Sequence, residues 1–290
     1  MTYKSPPDFN ASSLKIGVMQ GRLLPKIDGR YQAHPVDKWQ DEFLIASDLG
    51  LSFIEFILDF DHFESNPLMS SDRCAQIFDL SQKTGVLVKT VCADYFMEAP
   101  LHSRNKSMAS TSRKVLEILI FNALKIGVTD IVLPLVDQSS VSEPELRKRF
   151  IETLKPIVNM LNDANINICL EADLPPVEFA ELIANLDSNK ITVNYDIGNS
   201  ASLGYTPADE FLMYGTRISD VHVKDRIFGG SSVPLGDGDA DFHAVLRGLA
   251  QVNYTGPLIM QAYRDELGID IFTKQLDWLR TLLKRFDQLK

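Results

Sequence analysis

The sequence predicts an α/β protein built as a single (β/α)8 TIM barrel. Three observations point to it. Eight short, near-continuously apolar runs alternate with eight longer amphipathic segments, as strands buried on both faces alternate with helices packed on them. Gly50, Gly85 and Gly127 each close a helical pattern just before the next run, where a C-terminal helix glycine belongs. No low-complexity linker interrupts residues 15–285, so the eight βα units form one series.

The elements follow in order. Strands are expected at about residues 15–19, 51–57, 86–92, 129–134, 166–171, 191–196, 217–223 and 257–262. Helices are expected at about residues 36–49, 71–84, 108–126, 143–164, 175–186, 207–214, 239–252 and 268–288. Val115, Leu116, Leu119, Ile120 and Leu124 form an apolar stripe, as do Ile271, Leu276, Leu279, Leu283 and Phe286. Pro144, Pro175 and Pro207 fall near first turns, where proline costs no hydrogen bond. Residues 1–14 are expected to form a flexible N-terminal tail and residues 15–290 the barrel. A doubly wound open sheet is the rival. Val18 to Leu23 lacks the GxGxxG turn a dinucleotide-binding sheet would carry.

Composition narrows the function. A net charge of −10 opposes binding to a phosphate backbone, which argues against a nucleic-acid partner. It does not exclude a small anion, because local charge can oppose the global balance. Cys74, Cys92 and Cys169 are scattered, with no CxxC pair, so reduced thiols and a cytoplasmic location are expected. The polar N-terminus lacks the apolar stretch of a signal peptide. No run approaches the roughly 18 apolar residues of a membrane helix, so no membrane partner is expected.

The chemistry gathers at strand ends. Glu171 closes the fifth run, Asp196 the sixth, His222 the seventh and Gln261 the eighth. Parallel strands of a barrel bring these ends to one mouth. Two carboxylates, an imidazole and an amide oxygen suit one divalent cation, whether Mn²⁺, Mg²⁺, Co²⁺ or Zn²⁺. Taken singly, each residue reads as a helix cap or an ordinary hydrogen-bonded side chain. Four at consecutive strand ends point to a metal.

Leu170-Glu171, Tyr195-Asp196-Ile197-Gly198-Asn199, Val221-His222-Val223-Lys224-Asp225 and Val233 to Phe242 resemble the xylose isomerase-like TIM barrels. Within that superfamily they are most similar to the sugar-phosphate isomerases and epimerases, including the L-ribulose/L-xylulose-5-phosphate 3-epimerases. The resemblance runs from Ile16-Gly17-Val18 to the last helix. It implies that Glu171, Asp196 and His222 hold the metal and that the strand-8 position completes it. In those epimerases that position is a glutamate, paired with the strand-5 glutamate as a second base. Here it is Gln261, and a neutral amide accepts no proton at neutral pH. Of the catalytic pair Glu171 and Gln261, only Glu171 is left as a base.

Further residues are candidates for substrate contact. Glu55 ends the second run, where an acid in an apolar stretch needs a partner: it could hydrogen-bond a sugar hydroxyl, act as a second base, or pair with a neighbouring Arg or Lys. Arg22, after the first run, and Arg264, after Gln261, could hold an anionic group; a loop arginine is the alternative. Asp94 follows the third run and His102 lies in the next loop, and either could contact a sugar. Lys224, Asp225 and Arg226 stand beside the expected metal and could receive a phosphate, or form a salt-bridged loop. Asn199 could touch substrate or cap a helix. Gly229-Gly230 and Gly236-Asp237-Gly238 mark a mobile loop over the mouth. Cys92 reads as an inert strand thiol.

The expected function is a metal-dependent isomerase or epimerase acting on a small sugar or sugar phosphate, with Glu171 abstracting a proton α to a polarised carbonyl. A dehydratase or lyase on a sugar-like substrate is the enzymatic alternative, and a non-catalytic sugar-binding barrel the other. The abasic-site endonuclease branch of the superfamily uses a histidine-rich zinc cluster. This chain has five histidines in all and an acidic balance, which argue against that branch. Relatives in the resembling family are often dimers or tetramers, so a homo-oligomer is in keeping with the resemblance.

Overall fold

Short runs of Val, Ile and Leu with no polar face cannot sit at a protein surface, and they are too short for buried helices. They extend and pair with one another. In the computed structural model, which describes residues 9–161 and 164–289, they form β1 (Ile16–Met19), β2 (Phe53–Ile57), β3 (Thr90–Cys92) and β4 (Asp130–Leu135). The second half contributes β5 (Asn167–Ala172), β6 (Ile191–Asp196), β7 (Ile218–Val223) and β8 (Leu258–Met260). Neighbouring strands pair in parallel, and Ile16 against Leu258 closes the cylinder between β1 and β8. The barrel is therefore closed with eight strands.

One amphipathic helix follows each strand on the outside: α1 (Asp41–Asp48), α2 (Ser71–Thr84), α3 (Lys106–Ile126), α4 (Pro144–Asn159), α5 (Pro176–Leu186), α6 (Pro207–Tyr214), α7 (Phe242–Gln251) and α8 (Ile269–Gln288). Gly127 ends α3 with φ 78°, a left-handed cap that a residue with a Cβ resists. The main core fills the layer between strands and helices. A smaller one, of Met19, Ile57, Cys92, Val132, Cys169 and Ile259, plugs the barrel interior. Above that plug the interior turns polar.

Several expectations shift. α1 begins at Asp41, because residues 36–40 turn before the helix starts. Pro176 rather than Pro175 opens α5. The helix expected at 143–164 ends at Asn159, and residues 162 and 163 lie outside the described residues. Two short helices, Tyr95–Glu98 and Ile197–Leu203, and a small hairpin pairing Asp225–Arg226 with Ser232–Val233 appear at the strand C-termini. Residues 1–8 of the expected tail lie outside the described residues. Residues 9–14 are docked instead of loose. Phe9 and Ala11 are buried, the Phe9 ring meets Phe286 edge-on, and the Ala11 and Ser12 amides donate to Asp287.

Candidate active site

Side chains alternate along a strand, so residues two apart share a face. On β7 this aims Asp220 and His222 into the barrel, and on β6 Asn194 and Asp196. All four are buried. His222 Nε2 lies 2.8 Å from Glu55 Oε1 on β2, with both side chains fully buried. The opposite ring nitrogen, Nδ1, faces Glu171 Oε2 at 3.6 Å and Asp196 Oδ2 at 3.8 Å. Asn194 Nδ2 bridges the two sides, 2.9 Å from Nδ1 and 3.1 Å from Glu171 Oε2.

The electrostatics are those of a site that needs positive charge. Burial, then the charge of Asp196, pushes the Glu171 carboxyl up to about 7. Burial opposes ionisation of Asp196 as well, but Lys224 and His222 hold it down at about 2. Burial alone would lower the His222 imidazole; Glu55, Asp196 and Glu171 outweigh it and hold the ring well above its ordinary value. Beneath, Asp220 is pushed well above the usual carboxylate range by burial and by the charge of Glu55.

These residues fit a divalent ion. The ligand atoms of Glu171, Asp196 and His222 all lie within 4.8 Å of one another. Separations of 3.6 and 3.8 Å are too long for hydrogen bonds. They suit neighbouring ligands that each sit about 2.0–2.5 Å from a shared ion. Glu55 on Nε2 leaves Nδ1 as the inward nitrogen, the outer-carboxylate arrangement that orients metal-binding histidines. Gln261 is set slightly apart. Its Oε1 accepts from Lys224 Nζ at 3.1 Å, and the same ammonium donates to Asp196 Oδ2 and Asn199 Oδ1, each at 3.2 Å.

Of the cluster, Glu171 lines a cavity of about 590 Å³ at the C-terminal mouth. Asp94, Asn199, Lys224 and Arg226 line it together with Glu171 and Gln261. Asn199 donates to Glu171 Oε1 at 2.6 Å and its own amide N–H is capped by Asp196. Five expected substrate contacts are placed elsewhere. Arg22 is buried and spends its donors on the Ala262 and Tyr31 carbonyls and Gln32 Oε1. Arg264 is buried against the Leu24 carbonyl. Asp225 accepts the amide N–H groups of Gly236, Gly238 and Ala240, which ties down the glycine loop expected to be mobile. His102 lies edge-on to Phe150 beside a different surface cavity, and burial lowers its imidazole to about 4. Glu55 has no exposed surface and is hydrogen-bonded to His222 Nε2.

Sequence reading missed Asn194, Asp220 and Gln32. The first two were recoverable, since each precedes a candidate ligand by two residues on the same strand face. Gln32 sits in the long segment between β1 and α1, and no local pattern marks it. It donates to Asp94 Oδ2 at 2.7 Å and accepts from Gln261 Nε2 at 3.1 Å.

The fold is a closed parallel barrel whose consecutive strand ends bring two acids and a histidine to one mouth, a grouping that could hold a metal ion. The xylose isomerase-like TIM barrel family model matches residues 43–282, and the chain belongs to that family. A probable L-ribulose-5-phosphate 3-epimerase from Mycoplasma pneumoniae is 24% identical over 233 residues, covering 78% of this chain and 76% of its own. A D-psicose 3-epimerase solved in the presence of D-fructose superposes with a TM-score of 0.72 at 18% identity, covering 95% of this chain and 99% of that one. A xylose isomerase-like protein from Mycobacterium smegmatis in complex with magnesium gives 0.69 at 17% identity, covering 96% and 99%. At such identities the structural likeness speaks for the fold.

Proposed function

We propose that this protein is a divalent-metal-dependent sugar isomerase in which Glu171 is the only base at the reacting carbon. One observation carries the reading: the buried Glu171, Asp196 and His222 gather their ligand atoms within 4.8 Å of one another, and Glu171 also lines the mouth cavity. The named epimerase relative and the epimerase fold neighbour support the isomerase class. When bound, a divalent ion supplies polarisation of a carbonyl and its adjacent hydroxyl.

The chain's own residues do the rest. Glu171, held between Asn194 and Asn199, takes the proton from the carbon next to the carbonyl. The C–H electron pair forms the carbon–carbon double bond of an enediol, and the carbonyl electrons move onto oxygen. Glu171 then returns the proton to the former carbonyl carbon, and the hydroxyl proton moves between the two oxygens. The net result is aldose–ketose isomerisation on one face. Gln261, being an amide, provides no base on the other face, which separates this reading from two-base epimerisation.

The test is solvent exchange. Metal-loaded protein incubated with ketopentoses and ketohexoses in D₂O should give the isomeric aldose with deuterium at one carbon, read by NMR. Inversion at C3 without aldose formation would replace single-base isomerisation by epimerisation, and absence of any exchange would remove the enzymatic reading.

A further inference from the structure

The charges around the mouth cavity restrict what can enter it. Beyond Glu171, one wall is built from the segments that follow β2, β3 and β4. It presents Asp59, Asp61, Asp94, Glu98 and Asp137. Against these five carboxylates and Glu171, the described lining residues include three cations: Arg30, Lys224 and Arg226. Each is already engaged. Arg30 pairs with Asp59 at 2.8 Å and Asp61 at 3.3 Å. All three ammonium protons of Lys224 have an acceptor, on Asp196, Asn199 and Gln261. Arg226 is bound to the Gly230 carbonyl through Nε and Nη2 and to Asn199 through Nη1. Arg22 and Arg264, the remaining cations considered for an anion, are turned into the protein.

We infer that the substrate is an unphosphorylated polyhydroxy compound, a neutral ketose or polyol-like sugar, whose far end hydrogen-bonds the acidic wall. The inference rests on the sugar-isomerase reading and narrows its substrate class. Sugar hydroxyls are donors, and a row of carboxylates is a row of acceptors for them. A terminal phosphomonoester brings about −1.5 to −2 charges and only acceptor oxygens at neutral pH. Placed at the far end it would face Asp61, Glu98 and Asp137 with no free cation among the described residues. Placed at the near end it would occupy the position of the reacting carbons. The Mycoplasma pneumoniae relative is named as a probable epimerase of a 5-phosphate, so this cavity departs from what that name implies.

The experiment compares matched pairs, D-fructose with D-fructose 6-phosphate and D-ribulose with D-ribulose 5-phosphate, on the metal-loaded protein. Turnover is followed by deuterium uptake, and binding by calorimetry. The neutral member should have a kcat/KM at least ~10-fold above its phosphate, and the ratio should shrink in 0.5 M NaCl as about 10 Å of screening length collapses to a few ångströms. The double substitution Asp61→Asn, Asp137→Asn should move the ratio toward the phosphate by about threefold or more. A phosphate handled as well as its neutral partner, or a ratio insensitive to both salt and the substitutions, overturns the inference and leaves the isomerase reading standing. If neither member of a pair exchanges, the isomerase reading falls, and calorimetry decides the charge question alone: tighter binding of the phosphate, or binding of neither, overturns it.

Discussion

Gln261 Nε2 donates to Gln32 Oε1 across 3.1 Å, and that one bond explains why position 261 is an amide. Gln32 cannot turn over. Its Nε2 is held by Asp94 Oδ2 at 2.7 Å, and its Oε1 also accepts from Arg22 at 3.0 Å. Gln261 must therefore donate toward Gln32 while its own Oε1 accepts from Lys224. A carboxylate meets only the second requirement. Gln261→Glu is expected to destabilise the metal-free protein by about 1–3 kcal/mol, since it sets a buried charge against an oxygen. The same change adds a negative charge near the cluster and should tighten divalent binding about tenfold. Urea unfolding with chelator, and calorimetry with Mn²⁺, check the two halves. Unchanged metal-free stability would mean that Gln32 does not lock this amide.

Glu171→Gln keeps the size and the hydrogen-bonding capacity of the side chain but loses the base. We expect kcat to fall by at least ~100-fold, the scale of a lost general base, with the circular dichroism spectrum retained. Wild-type-like turnover in this variant would assign the proton transfer to another group.

Glu55 has no contact with the cavity, so its effect should pass through His222. Glu55→Gln is expected to weaken Mn²⁺ binding ~10-fold, because the carboxylate that orients the ring and raises its basicity becomes a neutral amide. Substrate KM at saturating metal should change little. An altered KM with unaltered metal affinity would place Glu55 in the substrate site.

Metal binding should be coupled to protons. In the metal-free protein the acids keep a proton on His222, and Glu171 titrates at about 7. A ligand must be deprotonated to coordinate, so both protons oppose the ion at low pH. Both groups have raised affinity for protons, and affinity for metal therefore grows as pH rises through 7. The Mn²⁺ Kd should be ~10-fold or more weaker at pH 6 than at pH 8, with proton release visible as a buffer-dependent binding enthalpy. A pH-independent Kd would contradict these ionisation states.

Much of this architecture was legible in the sequence, and the exceptions have physical reasons. Glu171, Asp196 and His222 were readable because strand period and parallel pairing act over short, regular stretches, and they carry each residue to one mouth whatever the loops do. Arg22, Asp225 and Arg264 look alike in sequence to substrate-binding residues, being charged groups just past strand ends. What separates them is whether a distant backbone carbonyl or amide uses up their hydrogen bonds, as Ala262, Leu24 and the Gly236–Ala240 loop do. The partner of Glu55 was invisible for the same reason. Its imidazole lies 167 residues away in the chain, and only barrel closure brings β2 and β7 within reach across the interior. Gln32 belongs to a long connection with no periodicity, where local sequence carries the least information about position.

The central claim is that Glu171, Asp196 and His222 hold one divalent ion. The most direct measurement is calorimetric titration of chelator-treated protein with Mn²⁺, on the wild type and on Asp196→Ala and His222→Ala. We predict one ion per chain for the wild type, with binding weakened by at least ~100-fold in either variant while both remain folded. Absence of stoichiometric binding, or binding that survives both substitutions, would contradict it.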